Sequence, residues 1–317
     1  MSRPPPPCRQ ADSGGKEPVS VALNPFIYEH FYKVWTMLLA RFSIRAVFAL
    51  AALGLAGQVS AAALKIGVTP GSLADSVAVA AKEARQIGLE VEVIEFTDWT
   101  TPNTALASGD LDLNYFQHQA FLDNAVKEGG YAIESVAYGL LPNIGLYSKQ
   151  FQSLDALPEG ASVGVANDPV NQARGLLLLQ TAGLIQLKDG VAARASIHDV
   201  TANPRKLRIV EVEGPQLVRA ADDLPLVQGY PAHFVNAGQA ELASKALQYS
   251  TVDDLYYAIR FVARSSHRED PRIRQFVDLY QNSPAVAAQI DASFAGDKKL
   301  YSLPWKSAGH ASITQAP

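Results

Sequence analysis

The 317-residue sequence holds a single cysteine, Cys8, and two methionines, Met1 and Met37. One cysteine forms no intrachain disulfide. Its place at the extreme N-terminus excludes a Cys-ligated metal site and a thiol nucleophile from the rest of the chain. Histidine is sparse too. Beyond residue 61 there are His118, His198, His233, His267 and His310, with no two at metal-ligand spacing. The sequence also lacks G-x-S-x-G, a P-loop and G-x-G-x-x-G. The acidic pairs Asp110/Asp112 and Asp222/Asp223 read as solvated ends of elements rather than as an acid/base couple. No catalytic residue, metal or cofactor is expected, and an enzymatic role has no support in the sequence. Charged residues make up 18% of the chain and the net charge is −4, without the basic surplus of a nucleic-acid binder. After residue 61 no apolar run approaches the roughly 20 residues that span a bilayer; the longest candidate is Gly175 to Leu179.

What is present begins with a leader. Residues 1–36 open on the Pro4–Pro7 run and show no periodicity. Met37 is followed by Arg41 and Arg45, the apolar stretch Ala46 to Ala56, and then Val59-Ser60-Ala61. A basic start, a short apolar centre and a small-x-small end describe a secretory signal peptide over 37–61. Residues 1–36 are then a non-native or disordered extension, and the periplasm is the expected compartment. Six of the 27 basic and three of the 31 acidic residues precede residue 62. The remainder holds 21 and 28, for a net charge near −7, which suits a soluble exported protein.

The remainder alternates strand-like and helix-like segments. Leu64 to Val68 reads as a strand, and Ser72, with Asp75 as box partner, as the cap of a helix stopped by Gly88. A second strand over Leu89 to Phe96 precedes a short helix, Thr101 to Ser108. Leu111 to Phe116 is a third strand and His118 to Glu128 a third helix. A second series follows: strand Ser162 to Ala166, helix Pro169 to Thr181, strand Leu207 to Val212, helix Pro215 to Ala221, strand Leu224 to Gln228. A late strand over Tyr256 to Ala263 and helices Pro271 to Gln281 and Pro284 to Phe294 close the chain. Repeated βα units predict an α/β fold with parallel or mixed sheets flanked by helices. Two such series predict two lobes, 64–146 with 255–317 and 147–254, with a ligand cleft at the strands' carboxyl ends and a hinge between them.

Three constellations stand at those carboxyl ends. In Asn167-Asp168-Pro169-Val170-Asn171, Asp168 is a good N-cap and Pro169 a good first helical residue. Asn171 and Arg174 then share a face in the first two turns. A helix start with a guanidinium nearby suits a carboxylate. A surface charge beside a solvated Asn fits the spacing equally well. Phe116 and His118 alternate onto one side of their strand, as ligand wall or as core residue and helix cap. Trp99 follows the second strand, as pocket wall or lobe-interface residue.

At these residues the chain resembles the MetQ/NlpA family of ABC-transporter substrate-binding proteins. The resemblance runs over most of residues 64–305. It is carried by Phe96-Thr97-Asp98-Trp99, Gly109-Asp110-Leu111-Asp112, Phe116-Gln117-His118, Asn167 to Asn171 with Arg174, and Gly214-Pro215-Gln216-Leu217. It implies a two-lobed periplasmic binding fold (type II-like). It further implies a small amino-acid ligand, methionine or a relative, passed to a membrane ABC permease/ATPase complex. Phe116 and His118 match the family's aromatic-x-His wall, and Asn171 and Arg174 its carboxylate pair. Trp99 stands where Tyr is common. Gln228-Gly229-Tyr230-Pro231 replaces an Asn-x-Asn-like stretch, which puts Gln228 and Tyr230 among the expected ligand contacts. The late strand, Tyr257-Ala258-Ile259-Arg260, lacks the family's Asn. Family members commonly carry a lipidated Cys at the cleavage point. Its absence here predicts an unanchored form.

Overall fold

The computed structural model describes residues 62–250 and 254–306. The expected leader, 1–36 and 37–61, lies outside the described residues. Strand β1 (Leu64–Val68) shows why the first lobe forms: Leu64, Ile66 and Val68 are fully buried while Lys65 is exposed. β2 (Val91–Glu95) and β3 (Leu113–His118) pair with it in parallel. Gly67 in β1 is required by a close approach, because a Cβ there would lie 2.5 Å from the Leu111 side chain.

Helix α1 (Ser72–Gln86) presents Val77, Ala80, Ala81 and Ala84 to this sheet. The expected Ser72 cap is absent. The helix starts one residue earlier in register, with Gly71 at the N-cap (φ 94°, ψ −139°) and no side chain accepting from the first turn. Glycine tolerates that backbone conformation, and a seryl Cβ would not. α2 (Thr101–Ser108) and α3 (Gln119–Gly129) follow β2 and β3.

The sheet is completed by a strand that the sequence reading did not include and by the expected late strand. β4 (Ile133–Tyr138) follows α3. The late strand, Ile259–Arg264, runs antiparallel between β3 and β4. A buried aromatic group locks it there. Tyr115 stacks on Phe261 at 4.1 Å and meets Tyr280 edge-on at 5.5 Å. The hydroxyls are satisfied in series: Tyr280 donates to Tyr115 at 3.0 Å, and the Leu140 N–H donates to Tyr115 at 3.0 Å.

β5 (Leu141–Pro142) lies beyond β4, and the first crossing to the second lobe, Asn143-Ile144, follows it. β6 (Gly145–Tyr147) already belongs to the second sheet, so that sheet begins two residues before 147. β7 (Ser162–Ala166) leads into α4 (Pro169–Thr181). A two-stranded excursion follows, β8 (Gln186–Leu187) with β9 (Val200–Ala202). Then come β10 (Arg208–Val212), α5 (Leu217–Ala220), β11 (Leu226–Gly229), α6 (Pro231–Asn236), α7 (Ala240–Ala243) and β12 (Gln248–Tyr249). The Ile259–Arg264 strand is β13. It precedes α8 (Pro271–Asn282), α9 (Pro284–Ser293) and β14 (Tyr301–Ser302), which pairs with β5.

The two five-stranded sheets share one plan. The first is ordered β2-β1-β3-β13-β4 and the second β10-β7-β11-β6-β12. In each, three parallel strands are followed by antiparallel ones. Both sheets are therefore mixed, within the range the sequence predicts. The second has its own core around Leu146, Val163, Val165, Leu176 and Leu226, all fully buried. The crossings between sheets are tied together, since Ser250 Oγ donates to Asn143 Oδ1 at 2.5 Å and Asn143 Oδ1 also accepts from the Ile144 N–H. β1, β2, β3, β7 and β11 all end toward a common space, where open α/β sheets place their ligands.

Candidate functional site

That space is a cavity between the sheets. Thr69, Pro70 and Ser72 line it after β1, Phe116, Gln117 and His118 from β3, and Trp99 after β2. Asn171 lines it from α4, and Tyr230, Ala232 and His233 from the start of α6. Phe121, Leu140, Pro142 and Ile259 complete an apolar wall. The cavity's inner space is about 60 Å³, room for a few water-sized groups when each needs about 10–15 Å³, and it is partly open to solvent.

Asn171 is the hub. Asp168 caps α4, accepting from the Asn171 N–H at 2.9 Å, with Pro169 as the first helical residue, as the sequence predicts. Both Asp168 oxygens also accept from Asn171 Nδ2 at 3.1 Å. This turns Asn171 Oδ1 outward, where it accepts from Tyr230 Oη at 2.7 Å and faces His118 Nε2 at 3.2 Å. Burial raises the Asp168 pKa, opposed by the hydrogen bonds from Asn171.

His118 fills both roles that its position allows. It is the N-cap of α3, its Nδ1 accepting from the Phe121 N–H at 3.2 Å, and it also lines the cavity. With Nδ1 accepting, the proton of the neutral ring sits on Nε2 and is donated to Asn171. Burial above all, and then the nearby Arg174 charge, lower its pKa to about 3. Burial lowers that of His233 to about 4.

Both histidines are therefore held neutral in the fold, while in the unfolded chain they protonate near pH 6.5. The unfolded state binds more protons between those limits, so stability is complete above about pH 6.5. It falls as the pH drops toward 4, by up to about 1.4 kcal/mol per pH unit for each histidine. His233→Gln is expected to remove about half of the stability lost between pH 7 and pH 5 in urea unfolding. An unchanged loss in the variant would sink this assignment.

Arg174 is buried, 6% exposed, and its Nη1 has no hydrogen-bond partner. Its guanidinium carbon lies 4.3 Å over the Tyr257 ring and 5.9 Å from that of Tyr230. Among the described residues no carboxylate lies within ion-pair distance of it. Arg174 does not itself line the cavity; Asn171 and Tyr230, its neighbours, do.

Gln228 is also outside the lining. Its Oε1 accepts from the Ala166 N–H at 3.1 Å and its Nε2 donates to the Asn171 carbonyl at 3.0 Å. It brackets β7 to the first turn of α4. Gly175 admits it, since a Cβ there would lie 2.2 Å from Gln228 Oε1. Trp99 meets Tyr230 edge-on at 6.1 Å and lies flush on Gly214 of the other lobe.

Of the seven expected ligand contacts, the structure gathers Trp99, Phe116, His118, Asn171 and Tyr230 at the cavity. Arg174 stands beside them and Gln228 behind them. The sequence reading missed Tyr257, Thr69, Ser72 and His233. Thr69 and Ser72 flank the turn after β1 and were read as turn and cap. His233 lies five residues beyond Gln228, in a short helix that was not predicted.

The family profile described as NlpA lipoprotein matches residues 64–301. A Yersinia pestis protein named D-methionine-binding lipoprotein MetQ is 38% identical over 238 residues, covering 74% of this chain and 88% of its own. A probable D-methionine-binding lipoprotein MetQ of Vibrio cholerae is 42% identical, covering 74% and 87%. Among solved structures, a nutrient binding protein from Burkholderia cenocepacia bound to methionine superposes with a TM-score of 0.68. It is 38% identical and covers 74% of this chain and 97% of its own. A methionine binding protein, MetQ, superposes at 0.69 with 37% identity, covering 74% and 95%. These solved structures share the two-sheet α/β architecture. The relatives are lipoproteins by name, so they give no support to an unanchored form, and that expectation is set aside. Among the described residues no helix is long and apolar enough to cross a membrane. The chain belongs to the NlpA lipoprotein family.

Proposed function

We propose that this protein is the substrate-binding component of an ABC importer and holds an amino acid, methionine or a relative, in the interlobe cavity. The observation that carries the reading is Arg174: a buried guanidinium with an unanswered Nη1, beside Asn171 and Tyr230 on the cavity wall. A buried cation without a counter-charge is costly. A ligand carboxylate would supply that charge bidentately. Phe116, with Phe121 and Ile259, offers the apolar surface for a side chain, and Trp99 closes over the site.

In this reading the lobes are the two sheets with their helices, 64–146 with 255–317 and 147–254, hinged at the Asn143 and Ser250 crossings. The protein works in the periplasm after export by the 37–61 leader, and a membrane permease/ATPase complex takes the ligand from the closed form. It binds and releases and does not catalyse.

A thermal-shift screen of the twenty amino acids tests the proposal. Stabilisation follows RT ln(1 + [L]/Kd), about 4 kcal/mol at a thousandfold excess over Kd. A melting rise of several degrees with methionine or a close analogue is expected. No rise with any amino acid would reject the reading.

A further inference from the structure

Helix α1 begins at the carboxyl end of β1 with no side-chain cap at Gly71. The amide N–H groups of its first turn have no intrahelical acceptor. Thr69 and Ser72 each line the cavity, each is only 7% exposed, and neither hydroxyl has a partner among the described residues. α6 comes from the other lobe onto this helix start. A Cβ on Gly71 would lie 1.7 Å from Asn236 Nδ2, and Ala232 packs into the first lobe's core. His233, three residues before Asn236, shares that face of α6. It lines the same cavity, and neither of its ring nitrogens is hydrogen-bonded among the described residues.

Each free group at this end of the cavity can donate: the helix N–H groups, two hydroxyls and one imidazole N–H, while the hydroxyl oxygens, the second ring nitrogen and the nearby Asn236 Oδ1 can also accept. The helix start adds a partial positive charge. A thioether sulfur is a weak acceptor and leaves those donors unanswered. An oxygen answers them. We infer that Thr69, Ser72, His233 and the start of α1 form a second polar pole that receives an oxygen acceptor at the far end of the ligand. The preferred ligand is then an amino acid whose side chain ends in a sulfoxide, amide or carboxylate oxygen, ahead of methionine. This rests on the amino-acid reading above, with Arg174 taking the α-carboxylate.

Calorimetric titration of the full chain with L-methionine, L-methionine sulfoxide, L-glutamine and L-glutamate tests it. At least one oxygen-ended ligand is expected to bind about tenfold tighter than methionine or more, as when a site built around a hydrogen bond meets an analogue lacking it. The doubly substituted Thr69→Val, Ser72→Ala protein is expected to bring that ratio toward one. Methionine binding as tightly as every oxygen-ended ligand in the unaltered protein overturns the inference while leaving the amino-acid reading intact. So does a ratio that survives the double substitution. If none of the four binds, the inference falls, and the screen of the twenty amino acids separately decides the amino-acid reading. The comparison of ligands on the unaltered protein decides the matter even if the double variant does not fold.

Discussion

Arg174→Met is expected to abolish amino-acid binding while leaving the ligand-free protein as stable as before, or more stable. The two halves of this result have one cause. In the ligand-free fold the guanidinium is buried with Nη1 unpartnered. Its compensation comes from the faces of Tyr257 and Tyr230. Such contacts are worth about 0.5–2 kcal/mol. That is less than the several kcal/mol that a buried, unpaired ion costs. Methionine keeps the stem volume and the contact with the rings, and it removes the charge.

The bound state is different. There the carboxylate and the guanidinium would answer each other, and deleting one strands the other in a dry site, at about 3–5 kcal/mol. That is a loss of roughly 10²–10³ in affinity or more. Titration calorimetry and ligand-free melting, run on the same preparation, read both halves. A melting point that collapses together with binding would make Arg174 a structural residue, and the proposed carboxylate site would be lost.

How far the site was legible follows from the same residues. The Asp168-Pro169 cap and the register of Asn171 and Arg174 on one helix face are local matters, and the sequence carries them in full. The three parallel strands of each sheet, β1, β2 and β3 and then β7, β10 and β11, are equally legible as short apolar runs bounded by turn residues.

What failed was non-local. β13 inserts between β3 and β4, more than 120 residues after either of them in the chain. No period in the chain announces that partner; the stacking of Tyr115 on Phe261 does. Tyr257 was noted only as part of a strand without Asn. Its position over Arg174 depends on the return crossing. Gln228 was taken for a ligand contact because it stands where the family has Asn. The longer side chain instead reaches past Gly175 to the backbone of β7 and α4. His118 shows the opposite case, where cap and cavity wall were offered as alternatives and the two ring nitrogens serve both.

Gly214→Ala is expected to weaken ligand binding by about tenfold to a hundredfold with little change in ligand-free melting. Gly214 follows β10 in the second lobe and Trp99 follows β2 in the first. A Cβ on Gly214 would lie 2.1 Å from the indole ring. The six-membered edge of the ring meets it, and Tyr230 stands against the ring's other contact at 6.1 Å. Either the indole or the Gly214 backbone must shift to admit the methyl group. Overpacking of this kind costs about 1–3 kcal/mol.

If the lobes hinge, only the closed form brings these two residues together, so the cost falls on binding and not on folding. A residue before proline is also restricted in its backbone. Since Pro215 follows, Gly214→Ala has a second route to damage. Trp99→Leu separates the two. Alone it removes part of the cavity wall and weakens binding. Combined with Gly214→Ala it relieves the clash, so the double variant should lose less than the two single losses added together, by about 0.5–3 kcal/mol. Strain in the Gly214-Pro215 backbone would not respond to the size of residue 99. Strict additivity in that cycle would therefore refute the packing of Trp99 on Gly214 as the contact that closes the site.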